Sequence, residues 1–213
     1  MAEGSLLVER GAVLASAVIY WGGVLVQARR VRRRIGRSAN IRPRSTRERL
    51  LWFGWFLVIA AWLGLPFWAR PDASWIGVRL LSFVPRPTAV AVGLFLLVAG
   101  YAGTLWCYAA MGDAWRIGVN RAEKSRLVTR GPYAWIRHPI YLFQMVMLTG
   151  VVVLLPTALS ATVFLVHLSC VLLKARDEES YLLDTLGQPY RDYLNRTGRL
   201  LPRLRPPAQG STQ

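Results

Sequence analysis

Acidic residues are scarce in this chain, 11 Asp and Glu against 27 Lys and Arg, which leaves a formal charge of +16. Histidine and cysteine are scarcer still, at two each. Cys107 and Cys170 lie in separate apolar runs with no Cys-x-x-Cys spacing, which excludes a disulfide framework and a spaced zinc site. Both read as buried spectators. His138 and His167 have no His-Glu-x-x-His helix around them, so no metal site is expected. Also missing are the Gly-x-x-x-x-Gly-Lys phosphate loop and the Gly-x-Ser-x-Gly nucleophile elbow. So sparse a set of reactive side chains suits a cofactor that carries its own reactivity.

What is present is largely apolar. Hydrophobic residues make up 54% of the chain, and several runs approach twenty residues, the signature of an integral membrane protein. The positive charge sits between these runs, where it fits the loops of a membrane protein better than a nucleic-acid surface. Apolar runs at 11–26, 50–68, 88–111, 139–155 and 157–173 predict an all-α polytopic fold of about five transmembrane helices. Glu9 and Arg10 interrupt the early apolar residues, and the run passes Ala15-Ser16-Ala17 to reach Val26, so a retained membrane helix is expected rather than a signal peptide. The arginine-dense stretch 29–49 is expected to be a loop on anionic headgroups, with room for a short interfacial helix, and the apolar 75–84 to lie in the interface or re-enter slightly. Gly93, Gly100 and Gly103 would allow close helix approach, a weak signal because glycine is common in membrane helices.

Basic residues collect on one side: ten in 29–49, six in 112–138 and seven from Lys174 onward, against Arg10, Arg70, Arg79 and Arg86 opposite. The charge bias predicts an external amino terminus and places 112–138 and the polar tail together in the cytosol. Asn195-Arg196-Thr197, a glycosylation sequon, then falls on the wrong side and is set aside. The chain divides into a three-helix membrane region, 1–111, a core at 112–202 containing a helical hairpin broken at Pro156, and a disordered end at 203–213.

The run 126–143 is the densest in chemistry, with Gly131-Pro132, Tyr133, Trp135, Arg137, His138 and Tyr141 in one short insert. Proline suits the first helical turn and disfavours helix before itself, so a helix should start at Pro139 with His138 at its cap. Free backbone N–H groups there, beside Arg137 and His138, would form an anion-binding corner. A bland alternative is an interfacial helix start and nothing more. Farther on, Lys174 and Glu178 share a helical face, with Tyr181 a turn later. A carboxylate at that place suits a ribose hydroxyl or an ammonium group, or forms an ordinary surface ion pair. His167, inside an apolar run, reads as a helix-packing hydrogen-bond partner.

These two blocks, from Arg126 to Tyr141 and then Glu178-Glu179 with Gly187-Gln188-Pro189-Tyr190 through Arg196, resemble the isoprenylcysteine carboxyl methyltransferase family over about the last hundred residues. The resemblance implies an S-adenosylmethionine-dependent methyltransferase whose lipophilic acceptor (a prenylcysteine-like carboxylate, a thiol or a lipid amine) enters from the bilayer. It implies that Leu127, Val128, Tyr133, His138, Pro139, Ile140, Tyr141 and Glu178 hold the cofactor. Lys174 falls where the family has a substrate-binding arginine; lysine lacks the planar two-pronged contact to a carboxylate. Arg196 matches a basic residue near the reaction centre, and Glu179 would be the base if the acceptor must lose a proton. The competing readings are a small transporter or binding protein and a membrane reductase of similar topology.

Overall fold

The computed structural model describes residues 2–36, 46–68, 84–115 and 127–203. The expected interfacial stretch 75–84 lies almost wholly outside the described residues, as do 37–45 of the basic stretch, 116–126, and the tail from 204. Among the described residues six helices run in order: α1 (Ala2–Ile35), α2 (Thr46–Trp68), α3 (Arg86–Met111), α4 (Pro139–Leu154), α5 (Ala158–Leu186) and α6 (Gln188–Arg196). Two single 3-10 turns, Gly112–Ala114 and Gly131–Ala134, precede α4. The fold is all-α and polytopic: among the described residues four helices, α1, α2, α3 and α5, are long and apolar enough to cross a membrane. The fifth expected span, α4, is a shorter apolar helix of 16 residues.

The expected loop at 29–49 is corrected at its start, because α1 continues through Arg29–Arg34 to Ile35. Arginine is a good helix former, and its long side chain carries the charge out to water without breaking the helix. The hairpin is built as its sequence foretold. Pro139 takes the first turn of α4 after His138, whose backbone (φ −123°, ψ 59°) is not helical. Pro156 follows α4, and Thr157 caps α5 by accepting from Ser160 N at 3.1 Å while Ser160 Oγ accepts from Thr157 N at 3.1 Å. At the far end of α5, Gly187 adopts φ 61° and lets the chain turn straight into α6.

The weak glycine signal marks a real seam. A Cβ on Gly103 would lie 2.2 Å from the Phe143 ring, and one on Gly100 2.7 Å from the Phe143 carbonyl oxygen, so α3 and α4 meet backbone to backbone. Trp62, Leu65, Met147, Leu148, Val151 and Leu154 fill the core among α1, α2 and α4. Phe53, Phe95, Val98 and Leu165 point outward, as a lipid-facing surface requires.

Ion pairs mark the two ends of this bundle. Arg34–Asp113 (3.2 Å) and Arg47–Asp177 (3.0 Å) join the α1–α3 and α2–α5 ends on one side. At the opposite side Arg86 pairs with Glu9 and donates to the Leu154 carbonyl at 2.8 Å. The basic end of α1, the insert at 127–138 and the tail therefore share one end.

Candidate active site

At that shared end a cavity of about 1270 Å³ opens between the helices. Its walls come from α1 and α2 (Trp21, Trp52, Trp55, Phe56), from the end of α3 and Trp115, from 127–144, and from Lys174, Glu178, Tyr190 and Tyr193. Of the residues singled out in the sequence, Leu127, Val128, Tyr133, His138, Ile140, Tyr141, Lys174 and Glu178 all line this one space. Pro139 is buried at the α4 start and is absent from the lining.

The polar centre is a short chain of contacts between α4 and α5. Tyr141 donates to Glu178 Oε1 at 2.9 Å, and His138 Nδ1 lies 3.4 Å from Glu178 Oε2. His138 Nε2 faces Glu179 Oε1 at 3.3 Å, and the imidazole stacks on the Tyr141 ring (5.5 Å, 10° between planes). Burial alone would lower the His138 pKa, but the hydrogen bonds and charges of Glu178 and Glu179 outweigh it and raise the value above that of an ordinary histidine. Burial raises the Tyr133 phenol well above its usual range and pushes Tyr193 up to about 12, so both stay protonated as neutral donors. Tyr193 uses its proton on the Tyr133 carbonyl at 2.7 Å, which ties α6 to the turn before α4.

Three expectations meet a different geometry here. The anion corner at the α4 start is partly occupied from within, at the residues just before the helix. Arg137 N and His138 N donate to the carbonyls of Gly198 and Arg199 at 2.9 and 3.1 Å, and the Arg137 guanidinium donates to Glu179 at 2.8 Å and to the Leu194 and Thr197 carbonyls. The returning tail supplies acceptors that the insert alone lacks. Glu179, the suspected base, is buried behind His138 rather than in the cavity wall, and its oxygens are taken by Arg137, Arg199 and His138. A carboxylate so engaged has little left with which to accept a substrate proton. Arg196 is exposed at the end of α6 and is not part of the cavity lining; the tail arginine that reaches the cluster is Arg199.

The deeper wall holds groups that the sequence reading passed over. Trp21, Trp55 and Gln144 line the cavity, and the Trp21 and Trp55 Nε1 and Gln144 Oε1 atoms are buried without a hydrogen-bond partner among the described residues. His167 does not play the expected hydrogen-bond role among the described residues: neither ring nitrogen has a partner there, and the ring packs 5.3 Å from that of Trp55. Cys107 and Cys170 are buried and free. Among the described residues no group of three or more His, Cys, Asp or Glu could hold a metal ion.

Residues 91–184 match the model of the isoprenylcysteine carboxyl methyltransferase family. Two curated relatives, the nickel-cobalt-cadmium resistance protein NccN of Alcaligenes xylosoxydans xylosoxydans and the cobalt-zinc-cadmium resistance protein CzcN of Cupriavidus metallidurans, are each 26% identical to the chain, over 62% and 64% of its length. The chain spans about half the length of these relatives, 54% and 55%. The family match takes in α3, the 127–138 insert, α4 and α5 as far as Asp184, and so it holds most of the polar centre but neither α1 and α2 nor the tail. Across that stretch the chain is similar to the isoprenylcysteine carboxyl methyltransferase family.

Proposed function

We propose that this protein transfers a methyl group from S-adenosylmethionine to a lipophilic acceptor that enters from the bilayer, with residues 112–202 as the catalytic core. One observation carries the reading. A single cavity of about 1270 Å³ is lined both by a charged cluster, His138, Glu178 and Lys174, and by an aromatic wall of Trp21, Trp52, Trp55 and Phe56. Ligand pockets usually measure about 300–1000 Å³, so this one has room for a nucleoside-sized cofactor and an apolar partner together.

The side chains suit that cofactor. Glu178 keeps an oxygen edge toward the cavity beside His138 and Tyr141, a place for ribose hydroxyls or an ammonium group. Leu127, Val128 and Ile140 offer apolar wall, Tyr133 adds a protonated phenol, and Pro139 fixes where the helix carrying His138 and Tyr141 begins. S-adenosylmethionine, when bound, supplies an electrophilic methyl on a sulfonium. The chain then has to align acceptor with donor and keep water out, which is most of the rate for such a transfer. Lys174, on the face of α5 that carries Glu178, attracts the polar end of the acceptor as a point charge rather than as a fork. A carboxylate acceptor needs no base, which agrees with the fully engaged state of Glu179. The basic residues of the α1 end, the insert and the tail favour a cytosolic site and an external amino terminus.

Calorimetric titration of the detergent-purified chain with S-adenosylmethionine tests the proposal. Saturable binding is expected, reduced by roughly 10- to 150-fold in His138→Ala and in Glu178→Ala, which each remove a charged hydrogen-bond partner worth about 1.5–3 kcal/mol. No binding, or binding indifferent to both changes, sinks it. Incubation with methyl-labelled cofactor and total membrane lipid then identifies the acceptor.

A further inference from the structure

We propose that Arg199 is a positioning residue for His138: with Arg137 it locks the plane of Glu179, so that one oxygen of that carboxylate fixes the imidazole at the cavity wall. Arg199 engages both oxygens. Its Nε lies 3.1 Å from Oε1 and 3.1 Å from Oε2, and its Nη2 donates to Oε2 at 2.6 Å. Arg137 reaches Oε1 alone, at 2.8 Å, and spends its other nitrogen on the Leu194 and Thr197 carbonyls. A two-pronged guanidinium contact sets the rotation of a carboxylate in a way that one donor cannot. With the plane set, Oε1 faces His138 Nε2 at 3.3 Å, and Nδ1 is left toward Glu178 at 3.4 Å.

The backbone explains how an arginine twenty residues beyond Glu179 comes to be there. After α6 the chain doubles back, and Gly198 pairs with Ile136 in a short parallel bridge, with Gly198 N donating to the Trp135 carbonyl at 3.1 Å. A Cβ on Gly198 would sit 1.7 Å from the Leu201 carbonyl oxygen, a backbone collision that no rotamer relieves. Glycine at 198 therefore permits the fold-back, and the fold-back delivers Arg199.

The charged and titratable groups around His138 are Glu178 and Glu179 from α5, Tyr141 from α4, Arg137 beside it and Arg199 from the tail, with Lys174 acting through Glu178. Removal of Arg199 takes positive charge from the carboxylate that His138 shares, so the imidazole should hold its proton to higher pH. It also frees Glu179 to rotate, so the ring should lose its single orientation.

Only the meaning of this for cofactor binding rests on the methyltransferase reading; the ring orientation does not. The chain has two histidines, so ring-nitrogen NMR of histidine-labelled, detergent-solubilised protein resolves both, and His167→Gln assigns them. Arg199→Ala is expected to shift the His138 titration upward, to average its two ring nitrogens, and to weaken S-adenosylmethionine binding roughly tenfold through misplacement. Arg199→Lys should restore the titration, because it restores the charge, and leave the averaging, because it lacks the fork. It also serves if the alanine variant fails to fold, and Gly198→Ala should act like Arg199→Ala. A folded Arg199→Ala or Arg199→Lys protein whose His138 signals match those of the parent overturns the proposal. If the ring signals respond as expected but the parent binds no S-adenosylmethionine, the cofactor reading fails and the positioning role stands.

Discussion

Each end of the bundle buries a glutamate against arginine, and the two arrangements differ in what else they hold. Glu9, 1% exposed in α1, meets Arg86 at the start of α3, while Arg86 also reaches the Leu154 carbonyl at the end of α4. One Glu9 oxygen has no hydrogen-bond partner among the described residues, and neither residue lines the large cavity. Glu179 at the other end has both oxygens engaged by two arginines and a histidine, and that histidine is in the cavity wall. A buried ion pair is in itself weak evidence of stabilisation, because desolvation consumes much of the attraction. Its use shows in the third group it fixes. At the Glu9 end that group is a helix terminus, so the pair ties α1, α3 and α4 together; at the Glu179 end it is an imidazole facing a ligand space.

The largest expected effect tests the Glu9 end. Arg86→Ala leaves a carboxylate buried without its counter-charge and should cost about 3–5 kcal/mol, seen as a lowered unfolding temperature in detergent. The affinity of the folded fraction for S-adenosylmethionine should not change. The double change Glu9→Leu with Arg86→Met removes both charges and should be near neutral. If the double variant is stable yet loses cofactor binding, the two ends are not separate in purpose.

Next comes Glu179→Gln. The amide still accepts, and Arg137 retains its carbonyl partners, so the stability loss should be smaller, roughly 1–3 kcal/mol. Cofactor affinity should fall by about tenfold here, unlike at the Glu9 end. Equal affinity in Glu179→Gln and the parent would reduce the cluster to a second staple.

Much of this contrast could be read in the sequence, and the unread part has a common cause. Pro139 and Pro156 announce the boundaries of α4 through local backbone chemistry, which a sequence carries openly. Lys174 and Glu178 reach one wall because helical spacing is also local. The roles of Glu179 and Arg199 depend on a fold-back after α6, and that rests on one glycine whose neighbour in space is Leu201. The free N–H groups expected at the α4 start were a sound local inference that the distant tail narrowed by engaging Arg137 N and His138 N. The end of α1 failed for another reason: apolar content marks how far a helix spans, while arginine, though charged, continues it. Glu9 and Arg86 gave no sign of pairing, since 77 residues separate them.

A smaller effect follows from the charge on His138. Its pKa is raised in the folded chain, so bound proton favours folding fully below about pH 6.5, the ordinary histidine value. That contribution is lost as pH rises through the folded value. The unfolding-temperature gap between the parent and His138→Gln should therefore be wider at pH 5.5 than at pH 9. A gap that widens toward alkaline pH would mean that burial, not Glu178 and Glu179, governs this imidazole.

The smallest effect belongs to the pairs at the cavity mouth, and it bounds all the others. Arg34 and Asp113 are 68% and 57% exposed, so water and salt screen their 3.2 Å contact almost as well as they screen free ions. Arg34→Ser should change stability by less than about 1 kcal/mol, with the difference vanishing at high salt. Arg34 also lines the cavity, as does Asp113, so a change in cofactor affinity without a change in stability would assign this pair to ligand capture rather than to helix anchoring. Should Arg34→Ser instead destabilise as much as Arg86→Ala, burial would not be what separates the strong pairs from the weak ones. The contrast between the two ends would then rest on geometry alone, on how many hydrogen bonds each guanidinium makes and to which helices.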